Sequence, residues 1–335
     1  MNLKLTFLFG LPDSGTVKVA GIDKLGNLIY QLEGNSELHN YADFPRENKS
    51  NLFLLWNSEP IKDIPFCNVL INCITDPDTN FKSLKIAQDI CELIKKNHKS
   101  ISIFNDPIKI FDTSREKIYQ KYNGLPEVYI PKVVRAKPKS CSDVFKIAKE
   151  NNLNFPFLIR PCGTHESQNF YFIENENQSD VLEKYAFNGS DFYLTEFVDY
   201  KSADSLYRKA RILIIGGEIC PRHFMTGESW MVHGSLHEKY MAKNPKTIED
   251  EKKFINNFRN LISPVALNSL QEIYKNSGLD YLGFDFSIKP DGSIVIFEIN
   301  AAQNPFINLN PNIFPYMQGV KQNIIEKLNR SINSK

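Results

Sequence analysis

The sequence predicts an α/β fold built in successive parts, and three features carry that expectation. Up to about residue 105, apolar strand-like runs alternate around one amphipathic helix. A β-rich stretch follows from about residue 128, and a hairpin and a final helix close the chain. Charged residues make up 24% and apolar residues 42% of 335 residues, the balance of a soluble globular protein with room for two or three cores.

In the first part, Leu3–Phe9, Leu28–Leu32, Leu52–Leu55, Val69–Ile71 and Ile101–Phe104 read as strands. Phe81 to about Lys96 spaces Leu84, Ile86, Ile90, Leu93 and Ile94 at helical intervals. Asn105-Asp106-Pro107 breaks the pattern, because proline restricts its predecessor and cannot continue a ladder. This places a small α/β domain over residues 1–105 and a second, larger domain over 106–335.

The second part opens with a helix Ser114–Tyr122, stopped by Asn123-Gly124-Leu125-Pro126. A strand Val128–Arg135, a helix Ser142–Lys149, and strands Phe157–Arg160, Asn169–Ile173 and Tyr193–Phe197 come next. Ala210–Ile215 and Glu218–Phe224 form a pair turned at Gly216-Gly217. Ser263-Pro264 supplies an N-cap and a first-turn proline for a helix ending at Gly278, and a last helix covers Tyr316–Asn329.

The net charge of +1 gives no global field for nucleic acid or an anionic membrane. No apolar run reaches the roughly 18 residues of a membrane span, and the N-terminus lacks the basic region and cleavage site of a signal peptide. Cys67, Cys73, Cys91, Cys141, Cys162 and Cys220 form no C-x-x-C pair, as expected of reduced, buried thiols in a cytoplasmic protein.

The chemistry concentrates in Gly283–Asn300. Asp291-Gly292 is a two-residue turn signal between apolar runs, so Pro290 pairs with Ser293 and, counting outward, Asp285 faces Glu298. Asn300 lies on the same face, and Phe284, Phe286, Phe297 and Ile299 share the opposite one. Two adjacent carboxylates repel unless a cation lies between them, and hard oxygen ligands suit Mg²⁺ carrying nucleotide phosphates. A solvated polar face on an edge hairpin is the alternative that the residues alone leave open.

Asp, then Glu thirteen residues later, then x-Asn, resembles the metal-binding signature of the ATP-grasp superfamily, the fold of D-alanine–D-alanine ligase, glutathione synthetase and RimK-type peptide ligases. The resemblance covers roughly residues 65–310 and implies an N-terminal α/β domain followed by a two-lobed grasp domain, with a central lobe about 128–200 and a C-terminal, metal-binding lobe about 201–335. It assigns Asp285, Glu298 and Asn300 to one or two Mg²⁺ ions, with Mn²⁺ as the alternative ion.

Further segments carry the resemblance. Phe155-Pro-Phe-Leu-Ile-Arg160-Pro161 resembles the family strand that ends in Lys-Pro over the phosphates, with Arg160 in place of lysine. Ser114-Arg115-Glu116-Lys117 aligns with a second phosphate-binding position, which one register gives to Lys117 and another to Arg115. The loop Pro161–Asn169, with its single Gly163, resembles the glycine-containing loop over the phosphates. Glu196, Phe197 and Val198 resemble the hinge segment that contacts adenine, and Asp199 or Asp204 the acid that follows it on the ribose.

Arg211 and Arg222 resemble the paired arginines of the RimK-type hairpin. Turned at Gly216-Gly217 they stand opposite one another, which demands an anion between them. His233 and His237, four apart in the Trp230 loop, find no third ligand for zinc, and that loop is read as covering the site or shaping the acceptor pocket. Asn300-Ala-Ala-Gln-Asn304-Pro-Phe departs from the family's N-x-x-P-G, which alters the substrate loop.

The resemblance implies an ATP-dependent carboxylate–amine ligase working through an acyl-phosphate, with Arg160, Arg211 and Arg222 stabilising the transferring group. A grasp-fold phosphotransferase and a non-catalytic ATP-binding module remain the alternatives. The expected partners are a small-molecule or peptide carboxylate and an amine acceptor, without nucleic acid or membrane, and a homodimer is left open.

Overall fold

The structure, a computed structural model, describes residues 3–24, 26–56, 64, 66–98, 100–164, 169–305 and 309–335. β1 (Leu5–Gly10), buried throughout, leads into a two-stranded ribbon of β2 (Lys18–Ile22) and β3 (Leu28–Gln31). Helix α1 (Leu38–Tyr41) and β4 (Lys49–Leu54) follow, then β5 (Val69–Asn72), α2 (Phe81–Asn97) and β6 (Ser102–Phe104). The four strands β4-β1-β5-β6 make one all-parallel sheet. α2 turns Leu84, Ile90 and Ile94 into the core, while Leu93 stays exposed.

α3 (Pro107–Ile110) and α4 (Arg115–Tyr122) lead to β7 (Val128–Tyr129) and β8 (Val133–Ala136). The single strand expected over Val128–Arg135 is therefore two. Pro131 lies in the break, and the two pieces join different sheets. α5 (Cys141–Glu150), β9 (Phe157–Pro161), β10 (Tyr171–Ile173), α6 (Ser179–Leu182) and β11 (Phe192–Glu196) build the central lobe on an antiparallel sheet ordered β10-β9-β11-β8.

The C-terminal part contains β12 (Tyr207–Ile215), β13 (Glu218–Gly227), α7 (Leu236–Lys239) and α8 (Pro245–Asn257), the last of which the sequence reading did not anticipate. α9 (Pro264–Ser277), β14 (Tyr281–Ile288), β15 (Ile294–Ala301) and α10 (Met317–Asn333) complete it. Its sheet runs β13-β12-β14-β15-β7. Ser263 Oγ caps α9 by accepting from Ala266 N–H at 3.0 Å, and Gly278 ends the helix with φ +65°.

The cores divide unevenly. Val144, Phe157, Ile159 and Leu194 belong to a cluster confined to the central lobe. By contrast, Phe7, Val69, Ile71 and Phe104 of the N-terminal sheet share a cluster with Leu213, Ile215 and Tyr281 of the C-terminal sheet and with α10. Asn105 bonds these two parts together: its Oδ1 accepts from the amides of Asp280 and Tyr281 at 2.8 and 2.9 Å. No helix among the described residues is long and apolar enough to cross a membrane.

Candidate active site

The C-terminal sheet forms one wall of a cavity of about 1730 Å³, and residues of the β10-β9-β11-β8 sheet and of the N-terminal part line its other sides. Across β13, β12, β14 and β15, register places His223, Arg211, Asp285 and Glu298 side by side. All four line the cavity, as does Asn300, which pairs with Gly283. Gly283 is required there, because a Cβ would collide with the Gln303 side chain. Gln303 in turn donates to Asp285 Oδ1 at 3.4 Å.

The pairing of Asp285 with Glu298 is reached by a different route from the one the turn signal suggested. Lys289, not Pro290, pairs across the loop with Ser293, leaving a three-residue connection with Gly292 at φ +83°. A bulge between Asp285 and Phe286 then restores the register, with Phe297 as the extra residue. Phe297 consequently leaves the core face assigned to it and packs on Tyr200, ring centroids 4.7 Å apart, while Ile296 joins Phe284, Phe286 and Ile299 in the core.

A second bulge corrects the arginine pair. Arg211 pairs with His223 and Ile212 with Pro221, so Arg222 is the extra residue and does not stand opposite Arg211. Arg222 is buried outside the lining, donating to the Pro305 carbonyl and contacting Met317 Sδ at 3.5 Å. Burial and the Arg211 charge lower its guanidinium to about 10. His223 holds the cavity position instead. Both of its ring nitrogens are buried without a hydrogen-bond partner. Burial first, then Arg211 and Arg222, push it well below the ordinary histidine range, so it is neutral.

The carboxylates are held by cations. Arg211 closes a fork on Asp285, Nε–Oδ1 at 2.6 Å and Nη2–Oδ2 at 2.8 Å, and Lys209 Nζ lies 3.4 Å from Oδ2. Burial raises the Asp285 carboxyl, but Arg211 and Lys209 outweigh it and hold it well below the usual carboxylate range. Glu298 accepts from Arg115 at 2.6 Å. Arg115 opens α4 behind Ser114 and lines the cavity, whereas Lys117 turns outward to the Phe111 carbonyl at 2.7 Å and does not.

Arg160, at the end of β9, faces the same space from the central lobe. It is 7% exposed, its Nε donates to Thr164 Oγ1 at 3.1 Å, and its Nη2 is buried without a partner. Burial and the nearby Arg115 charge lower its guanidinium to about 10. Gly163 also lines the cavity, with φ +73° and so little space that a Cβ would come within 2.8 Å of Thr79 in the N-terminal domain. The remainder of that loop, His165 to Gln168, lies outside the described residues.

At the hinge, Glu196, Phe197 and Val198 line the cavity, and the Glu196 carboxylate accepts from Tyr129 Oη at 2.6 Å and Lys132 N–H at 3.0 Å. Asp204 does not line it: Arg208 holds that carboxylate at 2.6 and 2.8 Å. Trp230, from the loop after β13, packs on Phe170 and Phe172 of the central lobe and on Phe197, centroids 5.5–5.8 Å apart. The two histidines of that loop diverge. His233 lines the cavity, while buried His237 meets Glu251 at 2.9 Å. No cluster of three or more His, Cys, Asp or Glu suited to a metal occurs among the described residues.

Solved structures with this architecture place the fold. A RimK domain ATP-grasp protein from Sphaerobacter thermophilus superposes with TM-score 0.50 over 97% of this chain and 99% of its own, at 9% identity. D-alanine–D-alanine ligase from Bacillus anthracis, complexed with ATP, gives TM-score 0.53 over 100% and 99% at 11% identity. VanG D-Ala:D-Ser ligase from Enterococcus faecalis gives 0.53 over 98% of each chain at 14% identity. The chain has the ATP-grasp fold, and the likeness extends over the first 60 residues as well. No protein-family model matches it. No curated protein matches it either.

Proposed function

We propose that this protein is an ATP-dependent carboxylate–amine ligase that forms an amide or peptide bond and releases ADP and phosphate. The observation that carries this reading is Arg160: a buried guanidinium with an unpartnered Nη2, lining the same cavity as Asp285, Glu298 and Asn300. Among the described residues no carboxylate forms an ion pair with Arg160, and a buried cation so placed is stabilised by an anion brought from outside.

The residues fit Mg-ATP in charge and in donor type. Arg115, Arg160, Lys209 and Arg211 line the cavity beside Asp285 and Glu298, a set of cations that suits a polyphosphate. Asp285, Glu298 and the Asn300 amide offer only hard oxygen donors, the set preferred by Mg²⁺. Bound Mg-ATP supplies the phosphoryl group that activates a carboxylate as an acyl-phosphate, from which an amine displaces phosphate.

The chain contributes position and charge. Arg160 and Arg115 would hold phosphate oxygens, and Arg211, fixed by Asp285, would keep its orientation as charge develops. Phe197 and Val198, which line the cavity at the hinge, would hold the base. Trp230, bridging from the C-terminal part to the central lobe, excludes water from the cavity.

The test is ADP release from Mg-ATP by wild type and Asp285→Asn, with pooled amino acids and dipeptides and hydroxylamine as acceptor. Carboxylate-dependent release that yields hydroxamate and disappears in the variant supports the ligase. Release with a phosphorylated acceptor and no hydroxamate would instead identify a phosphotransferase.

A further inference from the structure

The N-terminal wall of the cavity differs in character from the rest. Among the described residues up to 105, no lysine or arginine lines it, whereas Glu37, Asp76 and Asp78 do, the last paired with Arg135 at 2.7 Å. Its apolar part is Val17, Ile29, Tyr30, Phe53 and Leu55, the last four 46–60% exposed. The sequence gives this wall an unusual origin. Parallel neighbours such as β1 and β4 are normally linked through a helix, but here the crossover is the β2–β3 ribbon and the single turn of α1. A two-stranded ribbon has no buried face of its own, so its large side chains stay available to the cavity.

The cavity also exceeds the roughly 300–1,000 Å³ of an ordinary small-ligand pocket, which leaves space beyond a nucleotide. The cationic wall and the apolar, acidic wall are continuous parts of that one space. We infer that the N-terminal wall is the binding site for an ammonium-bearing substrate with a large apolar side chain, either a free amino acid or the first residue of a short peptide. This inference rests on the ligase reading and adds the substrate class. The Glu37 carboxylate, which accepts from Tyr41 Oη at 3.2 Å, favours the ammonium group. Phe53, which stacks on Phe9 at 5.2 Å, and the ribbon residues Ile29 and Tyr30 take the side chain.

Calorimetry on the full chain, with Mg²⁺ and a non-hydrolysable ATP analogue present, tests this without needing turnover. L-phenylalanine and the dipeptide Phe-Leu should each bind at least about tenfold more tightly than glycine or L-glutamate, the discrimination expected from burying one large side chain. N-acetyl-phenylalanine should lose about tenfold relative to phenylalanine, and Phe53→Ser and Tyr30→Ser should each lose a similar factor for phenylalanine. Whichever of phenylalanine and Phe-Leu binds more tightly identifies the source.

Equal binding of glycine, glutamate and phenylalanine would overturn the inference. So would serine variants that change the sedimentation coefficient but not phenylalanine binding, since the face would then be a subunit interface. Discriminating binding with no ADP release from any acid would contradict the ligase reading and leave this site standing.

Discussion

Arg211 and Asp285 face each other across β12 and β14, and the guanidinium closes on the carboxylate as a fork at 2.6 and 2.8 Å. The pair sits between His223 on one side and Glu298 on the other, so an ion pair forms the middle of the row that lines the cavity.

Removing one partner leaves the other charge buried. Asp285→Ala is expected to cost about 3–5 kcal/mol in urea unfolding, and Arg211→Met in the same background should recover part of that. Because the folded carboxyl is held below its unfolded value, its contribution is complete above the unfolded carboxylate range. It is lost as pH falls below about 4 toward the folded value, where the unfolded chain binds the extra proton. Acid titration of stability should therefore be shallower in Asp285→Asn than in wild type.

Arg160 presents the opposite case, a buried cation awaiting a partner. Arg160→Met should weaken Mg-ATP binding by about 10- to 100-fold, the range of one charge-assisted hydrogen bond. The melting temperature of the ligand-free protein should stay level or rise, since a buried guanidinium with an unpartnered Nη2 is removed. Calorimetric titration and thermal melting read the two effects separately.

His223 is the residue that the sequence concealed. With both ring nitrogens unpartnered, His223→Leu should leave the melting temperature within a few degrees of wild type. Removal of the imidazole from the cavity lining should still lower kcat/KM about tenfold, with Mg-ATP affinity unchanged. Steady-state kinetics beside ATP calorimetry checks both.

The tryptophans offer a direct report on the cavity. Trp230 lines it among Phe170, Phe172 and Phe197, whereas Trp56 lies elsewhere, its indole donating to the Pro12 carbonyl at 3.1 Å. In Trp56→Phe, Mg-ATP should shift or quench the remaining fluorescence saturably. In Trp230→Phe that response should vanish.

The sequence made the order of elements legible because caps, prolines and turn glycines are local. Ser263-Pro264 and Gly278 bracket α9, and Gly216-Gly217 takes the two positive φ values of the β12–β13 turn. Bulges are not local in this sense. Which residue is extruded depends on what both flanking strands bury, so neither the displacement of Arg222 nor that of Phe297 could be counted from turn chemistry. Asp285 nevertheless reached Glu298, because the longer loop and the Phe297 bulge cancel. Arg115 and Lys117 are both helix cations in the sequence, and only packing shows which lines the cavity. Of the ribbon, the sequence marks only the apolar run Leu28–Leu32, since Lys18–Ile22 mixes lysine and glycine into its short strand.

The most direct test of the central claim follows the oxygen atoms. Apolar amino acids labelled with ¹⁸O in the carboxylate would be incubated with enzyme, Mg-ATP and hydroxylamine, and the released phosphate analysed by mass. Transfer of one labelled oxygen to phosphate, with formation of the hydroxamate, is the predicted result. Unlabelled phosphate accompanying ADP would contradict it, because the phosphoryl group would then have gone to water and not to a carboxylate.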